Sequence, residues 1–310
     1  MLISVIIPHL NQEDHLRVGL GALHAQRGVT SDVEIIVVDN GSARLPDKIC
    51  SAWPDVQLLS ERTPGPGPAR NRGIREARGR ILAFIDADCR ADPGWLSAIE
   101  TALTDGTTTI IGGDVRVGYE HPSRPTFLEP YESIYSYRNN EHIAEGFSGT
   151  GNLATLRSTL AKVGPFAGIE VAEDRDWGLR ARAAGYAIRY VPEMIVFHPA
   201  RKTFAELRRK WDRHIAHDYE RIRPQRLGAL RFLARAIAVA GSPLFELKTV
   251  LSSPRVSGSH QRILALLCLI AIRLYRGGRM VGVLLRGDGR KISGEWNRPQ
   301  PARQEPAAAD

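Results

Sequence analysis

The stretch RILAFIDADCRAD, residues 80–92, constrains this chain most. Residues 81–85 are a short apolar run of β-branched and aromatic side chains between Gly79 and Pro93, and they read as a buried strand of a parallel sheet. The strand runs straight into Asp86 and Asp88. Ligands of open α/β sheets bind beyond the carboxyl ends of the strands, and alternate residues of an extended chain share a face. The two carboxylates therefore stand together where a ligand would lie. Hard oxygen donors of this kind suit Mg²⁺ or Mn²⁺, ions that bridge one or two carboxylates to substrate phosphates. The same residues also fit a solvated Asp-x-Asp turn, with Asp92 capping a helix that begins at Pro93, and the two readings are compatible.

The rest of the first two thirds repeats this grammar. Strands are expected at residues 2–8, 33–38, 56–59, 108–111, 188–191 and 195–197, the last two ending at Pro192 and His198. Helices are expected at 13–25, around Ile49, and at 69–77, 95–103 and 173–184, with Gly185 just past the last one. Alternating strands and helices imply βαβ units and a mostly parallel sheet with right-handed crossovers. Residues 64–68 read as a loop. Its Gly-Pro-Gly-Pro is no dinucleotide fingerprint, because the glycine spacing differs and the prolines lack the N–H groups that a phosphate cradle needs. Residues 112–151 are less regular and rich in aromatics (Tyr119, Tyr131, Tyr135, Tyr137, Phe147), which either pack a small antiparallel sheet or line an acceptor site.

Charge divides the chain. Residues 1–200 hold 20 Lys and Arg against 25 Asp and Glu, whereas residues 201–310 hold 22 against 9. Such a basic segment points to an anionic partner. Three scattered cysteines, Cys50, Cys89 and Cys268, suggest neither a disulfide framework nor a zinc pattern, and a reducing, cytoplasmic setting is the simplest expectation. The sequence opens on a strand without a basic-then-apolar leader, so no cleaved signal peptide is expected.

Four clusters at strand ends or helix starts follow in order: residues 8–11, 39–42, 86–88 and 173–176. The stretches SVIIPHLN, EIIVVDNGS, PARNRGIREARGRILAFIDADC, GTGNLATLRSTLAKVGPF and EDRDWGLRARAAGYAIRYVPEMIVFH resemble the family 2 glycosyltransferases over roughly residues 2–200. The resemblance implies a GT-A fold, a Rossmann-like α/β domain with a mostly parallel sheet flanked by helices, here over residues 1–205. It also implies an inverting transfer from a nucleotide sugar, a UDP-sugar first among donors, to a saccharide or lipid-linked acceptor in cell-surface polysaccharide or glycolipid synthesis.

By the same resemblance Pro8, His9, Asn11, Asp39 and Gly41 would surround the base and ribose, with Asp39 accepting a hydrogen bond from the base. Asn40 stands where the family often has a second Asp. Arg70 and Asn71 would lie near the nucleotide, and Asp86 would contact the ribose or a metal-bound water. Asp88, with His198, would hold Mn²⁺ or Mg²⁺. Asp174 would act as general base beside Glu173, with Asp176 in support. A catalytically silent scaffold of the same fold in a polysaccharide assembly complex is the alternative, and the presence of Asp86, Asp88 and Asp174 argues against it. A sugar nucleotidyltransferase is set aside, because PHLNQED replaces the Gly-rich basic loop of those enzymes.

Residues 206–286 form a basic helical extension. The run ILALLCLIAI at 263–272 is uncharged but too short to span a bilayer, which takes about 20 residues, and Arg273, Arg276 and Arg279 follow it. Two readings stay open: helices lying on the anionic inner face of the cell membrane, or a soluble bundle covering the sheet. Nucleic acid is not expected, since no recognition motif is present. Residues 287–310 are polar and rich in Pro and Ala, a composition expected to be disordered.

Overall fold

The computed structural model describes residues 1–287, so the expectation for the tail from 287 falls, Gly287 apart, outside the described residues. The packing divides the chain into two units: Met1–Glu120 with Tyr135–Ala200, and His121–Ile134 with the chain from Arg201 on. The boundary expected at residue 205 falls inside a helix, Phe204–Ile222.

The first unit is a mixed α/β sheet flanked by helices. Its strands are β1 (Leu2–His9), β2 (Asp32–Asp39), β3 (Val56–Ser60), β4 (Ile81–Ile85), β5 (Arg90–Ala91), β6 (Ile110–Gly118), β7 (Asn152–Leu156) and β8 (Ile188–Pro199). They lie in the order β3-β2-β1-β4-β7-β6-β8-β5. β3, β2, β1 and β4 are mutually parallel, as is the pair β6 and β8, whereas β7 runs against both its neighbours and β5 against β8. The helices are α1 (Glu13–His24), α2 (Asp47–Cys50), α3 (Pro66–Glu76) and α4 (Trp95–Thr104), then, beyond α5 (Glu129–Tyr135), α6 (Asn139–Glu145), α7 (Arg157–Val163) and α8 (Glu173–Ala183).

The unbroken apolar runs of the central strands follow from burial on both faces. Ile3, Val5 and Ile7 of β1 and Ile81, Ala83 and Ile85 of β4 pack on one side with Leu16, Leu20, Trp95 and Ile99. Ile6, Leu82 and Phe84 pack on the other with Phe166 and Trp177.

Several boundaries differ from the sequence-based ones. α3 begins at Pro66, inside the expected loop, because the first helical turn needs no N–H partners and tolerates proline there. α4 begins at Trp95: Asp92 accepts the Gly94 N–H with its side chain (3.1 Å) and the Trp95 N–H with its carbonyl (2.9 Å), so it organises a turn before the helix rather than capping one at Pro93. β6 continues through Gly118, and the two strands expected at 188–197 are one. Val191 pairs with Gly113 and Ile195 with Asp114, so residues 192–194 bulge out and Pro192 costs the ladder nothing. α8 ends as expected, with Gly185 in the left-handed region at φ 86°.

The second unit contains α9 (Phe204–Ile222), α10 (Gly228–Gly241), α11 (Pro243–Ser252) and α12 (Gly258–Arg286). α9 holds α12 through Asp212, which accepts from the Tyr275 hydroxyl at 2.8 Å, and through Trp211, whose ring lies 3.5 Å beneath the Arg276 guanidinium. Phe232 and Ala236 of α10 pack with Met280 and Val283 of α12. Among the described residues no single helix is long and apolar enough to cross a membrane, while α10 and α11 together, bent by 43°, meet that test by length and composition.

Candidate active site

The carboxyl ends of β1, β4 and β8, the start of β7 and the first turn of α8 surround a cavity of about 680 Å³. Of the residues singled out from sequence, Pro8, His9, Arg70, Asp86, Asp88, Glu173, Asp174 and His198 line it. Asn11, Asp39, Gly41 and Asn71 are not among its lining residues. They build the wall instead.

Asp39 is buried, and its acceptor oxygens are used within the chain. Oδ1 faces His9 Nδ1 at 3.0 Å, and Oδ2 accepts the N–H groups of Gly41 and Ser42 at 3.1 Å each. Burial opposes ionisation, but the bonds from Ser42, His9 and Gly41 outweigh it and hold the carboxyl below the usual aspartate value. The Gln12 N–H donates to His9 Nε2 at 3.2 Å, which puts the ring proton on Nδ1, toward Asp39. Asn11 closes the same corner: its N–H donates to Ser42 Oγ, and its Oδ1 accepts the Ala43 N–H. Asn40 ties this turn to the next loop, donating to the carbonyls of Glu61 and Thr63 and accepting the Gly65 N–H. Asn71 bonds both backbone groups of Phe166 and so fixes the loop before α8.

Arg70 is the electrostatic centre of the cavity wall. It is 2% exposed, and its guanidinium donates to Asp86 Oδ1 at 2.7 Å and Glu173 Oε1 at 2.8 Å. Asp86 is held from the other side by Gly151, where a Cβ would lie 2.5 Å from Oδ2. Asp174, next along α8, has no cation paired with it among the described residues, and its Oδ1 accepts only the Arg175 N–H, at 2.7 Å. Its carboxyl is pushed above the usual value, first by burial and further by the charge of Glu173, against the opposing pull of the Arg175 N–H and Arg70. Asp176 pairs with Arg180 at 2.9 Å and is not part of the cavity lining.

Asp88 and His198 come together across the sheet, with Nε2 of the ring 3.4 Å from Asp88 Oδ2. His198 Nδ1 lies 2.8 Å from the Pro199 carbonyl, which only accepts, and 2.8 Å from the Tyr137 hydroxyl. In the neutral ring the proton therefore sits on Nδ1, and the Nε2 lone pair faces the carboxylate. Two acceptors that face each other at this distance suit a divalent cation, and an oxygen–imidazole pair suits Mn²⁺. Cys89 is the third group nearby. Burial first, then the charges of Asp86 and Asp88, raise its thiol well above the usual value, and hard ions such as Mg²⁺ and Mn²⁺ favour the oxygen and imidazole donors beside it.

Sequence reasoning missed three supports. Gln12 donates its amide to Asp88 Oδ2 at 3.3 Å, Tyr137 orients His198, and Asn152 bonds the Asp114 and Met194 carbonyls beneath the site. Only the aromatic bias of residues 112–151 hinted at Tyr137.

The comparisons agree with this geometry. Residues 4–172 match the family described as Glycosyl transferase family 2. Glycosyltransferase AglE of Haloferax volcanii is 33% identical over 215 residues, 67% of this chain and 70% of that protein. The mannosyltransferase PcManGT from Pyrobaculum calidifontis, solved with GDP-Man and Mn²⁺, shares the fold at TM-score 0.53 and 17% identity, over 92% of this chain and 87% of that one. S. aureus TarS residues 1–349, solved with UDP-GlcNAc, does so at 0.53 and 16%, over 95% and 89%. With its sequence matched over more than half its length and its fold shared by both structures, the chain belongs to glycosyl transferase family 2.

Proposed function

We propose that this enzyme moves a sugar from a nucleoside-diphosphate sugar, a UDP-sugar first among candidates, to a hydroxyl of a saccharide or lipid-linked acceptor, with inversion at the anomeric carbon. Cell-surface polysaccharide or glycolipid synthesis is the setting, on the cytoplasmic side. The observation that carries this reading is the contrast between the two carboxylates that open α8. Glu173 is paired with Arg70, whereas Asp174 has no cation paired with it among the described residues and its carboxyl is raised above the usual value. A base must take the acceptor's proton as its oxygen attacks, and a carboxyl shifted toward neutrality is suited to that work. The new C–O bond forms as the bond to the diphosphate oxygen breaks, and the electron pair leaves on the nucleoside diphosphate.

Asp88 and His198 would hold Mn²⁺ or Mg²⁺, and the ion would supply positive charge against the leaving diphosphate. Arg70 keeps Asp86 turned toward the cavity, and Gly151 leaves room for it there. The corner closed by His9, Asp39 and Asn11 shapes the wall beside Pro8 that receives the nucleotide. The fold shared with enzymes solved around GDP-Man and UDP-GlcNAc supports the donor class.

A panel of nucleotide sugars, read by thermal shift with Mn²⁺, tests the reading. One donor should raise the melting temperature and release its nucleoside diphosphate, and Asp88→Asn should lose both effects. No shift with any donor, or full turnover in chelator, would overturn it.

A further inference from the structure

α10, α11 and α12 form a layer with two unlike faces. α10 and then α11 run antiparallel along α12. A side chain on Gly277 would collide with Ala240, and farther on Glu246 pairs with Arg273 (2.8 Å) and the Leu251 carbonyl accepts from Arg262 (2.9 Å). One face of the layer meets α9: Arg235 of α10 pairs with Asp218, and Tyr275 and Arg279 of α12 both reach Asp212.

The other face is apolar and open. On α12, Ile263, Leu267, Ile270 and Leu274 are exposed at spacings of four, three and four, a single stripe along the helix. At roughly 100° per residue this stripe lies about a quarter turn from the positions that meet α10 and α11, and on the side away from Tyr275 and Arg279. On α10 the same projection puts exposed Leu230, Leu233 and Ile237 opposite Arg235. On α11 it places Leu244, 82% exposed, and Leu251 on that same side, with Phe245, 86% exposed, beyond them. Three helices thus turn apolar stripes in one direction, which exceeds the scattered apolar exposure of an ordinary surface.

Charge identifies the occupant. Residues 223–287 hold eleven Lys and Arg and a single acid, Glu246, which pairs with Arg273; Arg235 and Arg279 pair with acids of α9, so eight of the eleven lie outside these pairs. Residues 288–310 offer only Ile292 and Trp296 as large apolar side chains, too few to cover three helices. An apolar face within such a basic segment fits the interface of an anionic bilayer, where apolar side chains enter the acyl boundary and arginines meet headgroups. We propose that the α10–α12 face lies flat on an anionic membrane surface, with Ile237, Leu244, Leu267 and Ile270 entering the lipid.

Flotation of the purified full chain with phosphatidylcholine vesicles, with and without phosphatidylglycerol, tests this without any sugar donor, so its outcome is separate from that of the transferase reading. The chain should float with anionic vesicles, about tenfold less with neutral ones, and less in high salt. Leu244→Glu combined with Leu267→Glu should abolish flotation, the milder Leu244→Ser should weaken it, and the melting temperature should be unchanged in both. Val18→Glu, an exposed apolar position on α1, should float like the parent. Three results would each overturn the proposal: flotation unaffected by the substitutions on this face, equal flotation with neutral vesicles, or no flotation together with a self-association that the same substitutions abolish. The last would make the face a contact between two copies.

Discussion

The Tyr137 hydroxyl stands 2.8 Å from Nδ1 of His198, with the two rings tilted together at a centroid distance of 4.7 Å. The phenol thus orients a ring whose other nitrogen faces Asp88. Groups of this kind behind a metal ligand are worth 10–100-fold in affinity. Tyr137→Phe keeps the ring contact and removes only the hydroxyl, so Mn²⁺ binding should weaken about tenfold by calorimetry. His198→Ala should weaken it further. Parent-like affinity in Tyr137→Phe would show that the hydroxyl does no orienting.

Asp174→Asn separates rate from stability. kcat should fall by about 10² or more with donor KM little changed. Because the folded-state pKa of Asp174 is raised, its protonated form favours folding, and that contribution is lost as pH rises through the folded value. The Asn variant should therefore melt no lower than the parent at neutral pH. The acid limb of the parent's kcat should also lie above that of an ordinary aspartate. Normal turnover in Asp174→Asn with loss in Glu173→Gln would exchange the two roles.

Arg70 joins two carboxylates of the cavity through one buried guanidinium. Arg70→Leu strands two carboxylates around a cavity. A broken buried pair costs about 3–5 kcal/mol, and the partial solvent access of Asp86 brings the expected loss to about 2 kcal/mol in urea unfolding. Arg70→Lys should recover little, since one ammonium cannot reproduce a fork that serves both Asp86 and Glu173. Full stability of the Lys variant would mean that the bridging geometry is incidental.

Asp39 gives a stability signal on the acid side. Its lowered pKa means that its contribution is present above the unfolded-state value and is lost as pH falls through the folded one. At neutral pH Asp39→Ala should cost about 1–3 kcal/mol, the penalty for the Gly41, Ser42 and His9 groups left unpaired. The gap between parent and variant should close on titration below about pH 4. A gap independent of pH would assign the loss to packing alone.

The strand at 81–85 was legible because burial on both faces leaves every residue apolar, and the two carboxylates after it had only one place to go. Strand pattern says less about which oxygen is already satisfied. Asp39 reads as facing a ligand, yet its neighbours in the turn take its acceptors. β6 was cut short because Gly112 and Gly113 are poor strand formers, and their lack of side chains is explained by distant residues pressing on them, Ser148 and Ile143 on the first and Met194 and Asn152 on the second. Pro192 reads as a strand break unless the bulge that hides it is known. In α12 the sequence showed one uninterrupted apolar run, whereas packing resolved it into a buried stripe of Ala265, Cys268, Leu269 and Ile272 and an exposed one.

Asn152 accepts from the Trp95 indole at 2.8 Å while donating to carbonyls of β6 and of the β8 bulge. It follows Gly151, which packs on Asp86, and it binds the strand that carries His198. The carboxylate side and the imidazole side of the cavity are therefore bolted to one plate, with α4 as its backing. The loop carrying Ile169 reaches the rim from elsewhere, held to α3 through Asn71 and Phe166, so a change there would reshape the rim without altering the spacing between Asp86, Asp88 and His198.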